Sequence, residues 1–384
     1  MGAYTRRAPC GAVERTREAT VTALSTPQLE QAGARPTRVR DIRYDVVRVV
    51  AMAFVVAVHA LMIVDADTPA GNVVTVLGQT VFFTCNALFF ILSGKFNLTK
   101  RNAEDPGRYY LRKVRGIIVP VLILFFLRTV YNLWPALPGP RALAVTYVKN
   151  VLGDLSGSEY WFVYILVSFL AVVPFLAPAF TAMGRARQRL FLGMGLAWFC
   201  LLFFMRSRGI TFSWSYLFTG FAFPFFIGPF VEDYMAEGHA ARAIFAAMPI
   251  CALATVALVL AGMTSQAQGA FDNSPFYMVL SIGMYLALLR LGGLVRGERA
   301  RAVIAFAARH SFTVYLVHMP VMHLLRGLMP AAPGALGFVL HPVLTAATIL
   351  VSLAVALAID TALVRPAQRL FDLAAARIGT RAAR

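Results

Sequence analysis

Ten stretches of the chain are apolar for long enough to cross a bilayer: about residues 45–65, 73–94, 116–134, 161–181, 189–205, 211–230, 242–263, 274–292, 303–325 and 338–364. A helix rises about 1.5 Å per residue, so roughly 20 residues cover about 30 Å of hydrocarbon. The runs are continuous, and the two-residue alternation of a membrane barrel is absent. Helices satisfy their own backbone groups in lipid. The pattern predicts an all-α polytopic membrane protein, a bundle of about ten transmembrane helices.

The polar segments between the runs carry the topology. With a cytoplasmic N-terminus, the segments facing the cytoplasm hold 29 Lys and Arg and the opposite loops hold 5. Positive charge is retained inside, so an even number of spans with both the N-terminus and the C-terminus cytoplasmic is expected. Most of the net charge of +18 is then a topology signal, and no nucleic-acid partner is implied. Residues 1–40 hold no apolar run and read as a mobile basic cytoplasmic tail. Residues 41–372 form the membrane domain, and 373–384 a short cytoplasmic tail. The outer loop 135–160 opens on Pro135, Pro138, Gly139 and Pro140, which break helices; it is expected to cap part of an outer opening.

Composition agrees with this reading. Of 384 residues, 59% are apolar and 14% charged, against about 25% charged in soluble domains. A soluble enzyme, a disordered chain and a secreted disulfide scaffold are excluded. Cys10 lies in the tail, and Cys85, Cys200 and Cys251 lie in apolar runs without zinc-type spacing. No disulfide and no structural metal are expected.

Candidate chemistry lies in the polar residues inside the spans, where ionisable groups are costly. The first span carries Asp45, Arg48 and His59. Eleven residues at about 100° each bring His59 to within about 20° of Arg48, and the rise sets them about 16 Å apart. Asp45 falls on the same stripe. A histidine so placed is either a buried group bonded to a neighbouring helix or a base or acyl-accepting nucleophile facing a cavity. Before the third span, Arg108, Arg112 and Arg115 recur at i, i+4 and i+7. They serve topology, and their forked donors also match phosphate.

Arg48 and His59 in the first span, Arg112-x-x-Arg115 before the third, and ten spans together resemble the acyltransferase-3 family of integral membrane O-acyltransferases. Leu88-Phe89-Phe90-Ile91-Leu92-Ser93-Gly94, Tyr160-Trp161-Phe162 and Ser311-Phe312-Thr313-Val314-Tyr315-Leu316-Val317-His318 support the resemblance, which covers about 41–372. The resemblance implies transfer of an acyl group, acetyl being the commonest, from cytoplasmic acyl-coenzyme A to a hydroxyl of a glycan, glycolipid or glycosylated metabolite. His59 corresponds to the family's essential histidine, as general base or transient acyl carrier. Arg48, Arg112 and Arg115 correspond to basic residues that hold coenzyme A or shape the site, with Asp45 in support. Acyl-coenzyme A is a donor substrate, and no cofactor is bound permanently. Membrane lipids and the acceptor are the other partners, and the plasma membrane is the expected location. Many members carry an extracytoplasmic esterase-like domain. This chain ends about 20 residues after its last run, so it is expected to complete the transfer itself, pass the acyl group to a separate extracytoplasmic protein, or act on an acceptor that reaches its own cavity.

Weaker candidates are Glu159, Tyr160 and Trp161 at the outer interface, as belt anchors or an acceptor entrance. Ser311, Tyr315 and His318 share a helical face, for interhelical bonding or for the active cavity. Arg128, in mid-span, is expected to pair within the bundle, and Asp360 is either its partner or an interfacial charge. The competing class is a polytopic transporter or flippase for a lipid-linked or anionic substrate. Such proteins commonly show internal repeats, and none is visible between 45–205 and 211–364.

Overall fold

The computed structural model describes residues 40–153, 155, 158–210, 220–329 and 335–382. The chain divides into residues 1–40 and 41–384. The expected tail lies outside the described residues except for Arg40, and all that follows concerns the second unit.

Helix starts follow local chemistry. Asp41 caps α1 (Ile42–Ala60) by accepting from the Arg43 amide. Thr68 caps α2 (Pro69–Phe82) through the Gly71 amide, with Pro69 in the first turn. A break at Phe83 separates α2 from α3 (Thr84–Asn97). The Tyr277 hydroxyl fills it, accepting from the Ala87 amide at 3.1 Å and donating to the Phe83 carbonyl at 3.3 Å. After the short α4 (Lys100–Glu104), Asp105 caps α5 (Pro106–Lys113). A π-turn (Val114–Ile118) then leads into α6 (Val119–Leu133). Pro120 has no N–H to donate to the carbonyl four residues back, which accounts for the wider turn.

The loop 135–160 contains a helix, α7 (Pro140–Leu152), tied to α6 by Asn150 donating to Thr129 and Tyr147 to the Leu122 carbonyl. Next come α8 (Trp161–Thr181), α9 (Arg185–Ser207), the short α10 (Ala222–Ile227) and α11 (Val231–Met235), and α12 (Gly238–Leu260). The chain continues through α13 (Pro275–Gly293), capped by Ser274, and α14 (Glu298–Gly327). It ends on α15 (Ala335–Ile359), a second π-turn (Asp360–Val364) before Pro366, and α16 (Arg365–Ala382).

Nine helices among the described residues are long and apolar enough to cross a membrane, and no strand is present among them. They account for nine of the ten apolar runs. The remaining run, 211–230, lies partly outside the described residues (211–219), and its described part holds α10. The protein is an all-α polytopic membrane protein. The last run continues as helix beyond 364: Gln368 of α16 donates to the Arg115 carbonyl and Asp372 pairs with Arg115 at 2.9 Å.

The first helix is the axis of the bundle. It packs against α2, α3, α13, α14 and α15, and Val47, Ala51, Val56 and Ala60 are fully buried along it. Around α3 and α10 lies an aromatic core: Phe90 meets Phe162, Phe169 and Phe221, and Phe226 meets Phe169 and Phe180. Gly94 makes the approach of α10 possible. A Cβ there would stand 1.7 Å from the Phe225 carbonyl oxygen, so the family-like segment ending on Gly94 ends where two backbones touch.

Candidate active site at the two ends of the first helix

His59 ends α1 half-buried, and its ring lies 5.3 Å from that of His318 on α14. It makes no hydrogen bond to another described residue. His318 is fully buried, and its Nδ1 meets the Tyr315 carbonyl at 2.5 Å. A carbonyl only accepts, so Nδ1 carries the proton and Nε2 presents its lone pair when the ring is neutral. That Nε2 is buried without a hydrogen-bond partner among the described residues. The Tyr315 hydroxyl donates to the Glu159 carbonyl, and Tyr160 donates to the Leu316 carbonyl at 2.7 Å. These bonds pin the segment before α8 onto α14. His341 of α15 reaches the Ala57 carbonyl at 2.9 Å.

Arg128 of α6 completes this end. Its Nη2 lies 3.2 Å from Glu159 Oε1, with the side chains 11% and 8% exposed. The contact is an ion pair without hydrogen-bond alignment: Arg128 Nε, Arg128 Nη1 and Glu159 Oε1 all lack a hydrogen-bond partner among the described residues. Arg128 pairs within the bundle as expected, but with Glu159.

The opposite end of α1 is also polar. Arg48 Nη1 pairs with Asp45 Oδ1 at 3.2 Å, with Asp45 buried. Beside them Glu232 accepts from Tyr44 at 3.0 Å and Tyr285 at 2.8 Å and pairs with Lys95 at 2.9 Å. Arg112 donates to Asn102 at 2.8 Å, and Asn102 is held by the Asn97 carbonyl. Arg112 Nη1 is buried without a hydrogen-bond partner among the described residues. Arg115 is half-exposed against Asp372, and Arg108 is exposed against Asp105. The three arginines therefore have three different partners.

Two expectations are corrected. Tyr160 is no interfacial belt residue: at 1% exposure it is a core side chain, because its hydroxyl finds a carbonyl acceptor on α14. Asp360 is neither the partner of Arg128 nor an interfacial charge. It is buried, and His310 at 2.5 Å and Thr313 at 2.7 Å hold its two oxygens. Trp161 is half-buried against Phe221. Ser311 bonds within its own helix, to the Ala308 carbonyl. Sequence reading missed His310, His341, Glu232 and Lys95. A charged or titratable residue within or beside an apolar run was the available signal for each.

The acyltransferase domain family, acyltransferase-3, matches residues 41–360. The chain belongs to this family. It is a multi-pass membrane acyltransferase. No curated protein and no solved structure matches it.

Proposed function

We propose that the protein is a membrane O-acyltransferase that moves an acyl group from cytoplasmic acyl-coenzyme A, acetyl first among the donors, to a hydroxyl of a glycan, glycolipid or glycosylated metabolite. The observation that carries this reading is the placement of His59. It stands at one end of the central helix, beside the buried His318, with its ring nitrogens committed to no other described residue. Arg48 and Arg112 gather at the other end. The reading places that end, and both termini, at the cytoplasm of the plasma membrane.

Phosphates of the donor are assigned to Arg112, whose Nη1 is unspent, and to Arg48 and Arg115, with Asp45 orienting Arg48. Arg115 leaves Asp372 to serve. The roughly 16 Å of helix between Arg48 and His59 is crossed by the pantetheine arm, which carries the thioester to the histidine. There His59 takes the proton of the acceptor hydroxyl as its oxygen attacks the thioester carbonyl carbon. The C–S bond then breaks, and the leaving thiolate recovers that proton from His59. The ester and free coenzyme A balance the substrates. Tyr160, Trp161, Tyr315 and His318 shape the reacting end.

Purified full-length protein with acetyl-coenzyme A labelled in the acetyl group tests this reading. Release of free coenzyme A with label passing to a membrane glycan fraction is expected. Unconsumed acetyl-coenzyme A, with the same fraction present, contradicts it.

A further inference from the structure

Arg128 has chemistry that its ion pair leaves unused. It sits in a membrane span with a side chain 11% exposed, and it meets Glu159 through Nη2 alone. Nε and Nη1 are buried with no hydrogen-bond partner among the described residues. Stranding two donors of a buried guanidinium is expensive, because each forfeits its hydration. A purely structural arginine would present its fork to the carboxylate, with two aligned bonds. Here the fork is turned aside.

The unused donors belong to the reacting end of the bundle. The backbone carbonyl of Glu159, the partner of Arg128, accepts from the Tyr315 hydroxyl. The Tyr315 ring lies 5.7 Å from that of His318, whose ring is 5.3 Å from that of His59. One cation with two N–H groups unbonded among the described residues therefore belongs to the same side-chain cluster as two imidazoles. His59 is half-buried, and the guanidinium carbon of Arg128 lies 5.6 and 6.0 Å from the rings of Tyr131 and Tyr160.

We propose that Arg128 is a catalytic residue whose Nη1 holds the carbonyl oxygen of the acyl group, with Glu159, on Nη2, as the positioning residue that orients the guanidinium. The proposal rests on the acyl-transfer reading above. When the acceptor oxygen bonds to the carbonyl carbon, the C=O π electrons move onto the carbonyl oxygen, and the hydroxyl proton passes to His59. The oxyanion is then opposite a fixed positive charge. When the C–S bond breaks, the electrons return to the carbonyl, and the thiolate takes the proton from His59. Arg128 gains and loses no proton. Donors aimed at developing charge are typically worth about 10²–10³ in kcat.

The test uses full-length protein in detergent, with acetyl-coenzyme A consumption separated into kcat and KM. Wild-type protein that consumes no acetyl-coenzyme A overturns the acyl-transfer reading itself. Given wild-type turnover, the decisive variant is Arg128→Met combined with Glu159→Met. It removes both charges together, so no unpaired buried charge remains. The expected result is normal accumulation, unchanged KM for acetyl-coenzyme A and a kcat lower by about 10²-fold or more. Arg128→Lys keeps the charge but not the fork and should also lose kcat with KM unchanged. A kcat of the double variant within about threefold of wild type overturns the proposal. So does failure of both variants to accumulate, which would make Arg128 a structural residue only.

Discussion

Arg112 and Arg115 follow one another by three residues, yet the fold treats them differently. Arg112 is anchored by Asn102 and keeps one buried donor unspent, whereas Arg115 faces Asp372 at the surface. Arg112→Ala should therefore raise KM for acyl-coenzyme A by about ten- to a hundredfold, the equivalent of roughly 1.5–3 kcal/mol for a charged hydrogen bond. Arg112→Lys should be nearly as harmful, because an ammonium cannot both hold Asn102 and reach a phosphate. Titration of donor concentration against initial rate decides it, and an unchanged KM in both variants would reduce the arginine to a topology signal.

Asp272, between α12 and α13 and outside the spans, offers a pH test. Burial pushes its carboxyl up, against the opposing pull of Arg206 and the Asn273 amide. The folded state thus holds the proton more tightly than the unfolded chain does. Its contribution is intact in acid, below the unfolded carboxyl's range, and is lost as pH rises through the folded value. Asp272→Asn should raise the thermal unfolding midpoint near neutral pH, with the difference closing in acid. An equal difference at every pH would refute this origin.

The local sequence carried the stripe of Asp45, Arg48 and His59, since helical spacing fixes which residues share a face. It did not carry the partners. Glu159 reaches Arg128 from a loop, and Asp360 finds His310 fifty residues away; pairings of that kind depend on how helices assemble. Tyr160 was misjudged for the same reason: an aromatic at a span boundary is an anchor or a core residue depending on whether another helix covers it.

Among the elements, the apolar runs predicted most of the helices because length and composition decide the matter in lipid. They did not predict the break at Phe83, the helix within 135–160, or the helical continuation through 365–382. Each of these is fixed by a tertiary contact. At the break, Tyr277 supplies bonds that α2 and α3 cannot make for themselves. Tyr277→Phe should strand the buried Ala87 amide and cost about 1–3 kcal/mol, read as a lower unfolding midpoint in detergent with KM for the donor unchanged. No shift would mean that the kink satisfies itself. The two π-turns each precede a proline, at Pro120 and Pro366, and α16, continuing the last span, packs against Arg115, so the start of the third span and the end of the last form one unit.

For the whole molecule, the central helix joins two polar ends of different character. At one, arginines and a Glu232 network gather; at the other, imidazoles and the Arg128–Glu159 pair meet. The proposed reading orients the first toward the cytoplasm, on the asymmetry of charge. Single cysteines placed in 135–153 and 264–273 of a cysteine-free background should label from outside intact cells, and cysteines in 95–105 only after permeabilisation. The reverse pattern would invert the assignment of donor and acceptor ends.

The most direct measurement compares wild-type protein with His59→Ala, full length and in detergent, for coenzyme A binding and for acetyl transfer from labelled acetyl-coenzyme A. Base catalysis of this kind is typically worth about 10²–10⁴ in rate. The account predicts that His59→Ala accumulates normally and binds coenzyme A like wild type, yet transfers acetyl at least about a hundredfold more slowly. Transfer at the wild-type rate would place the chemistry elsewhere and contradict the account.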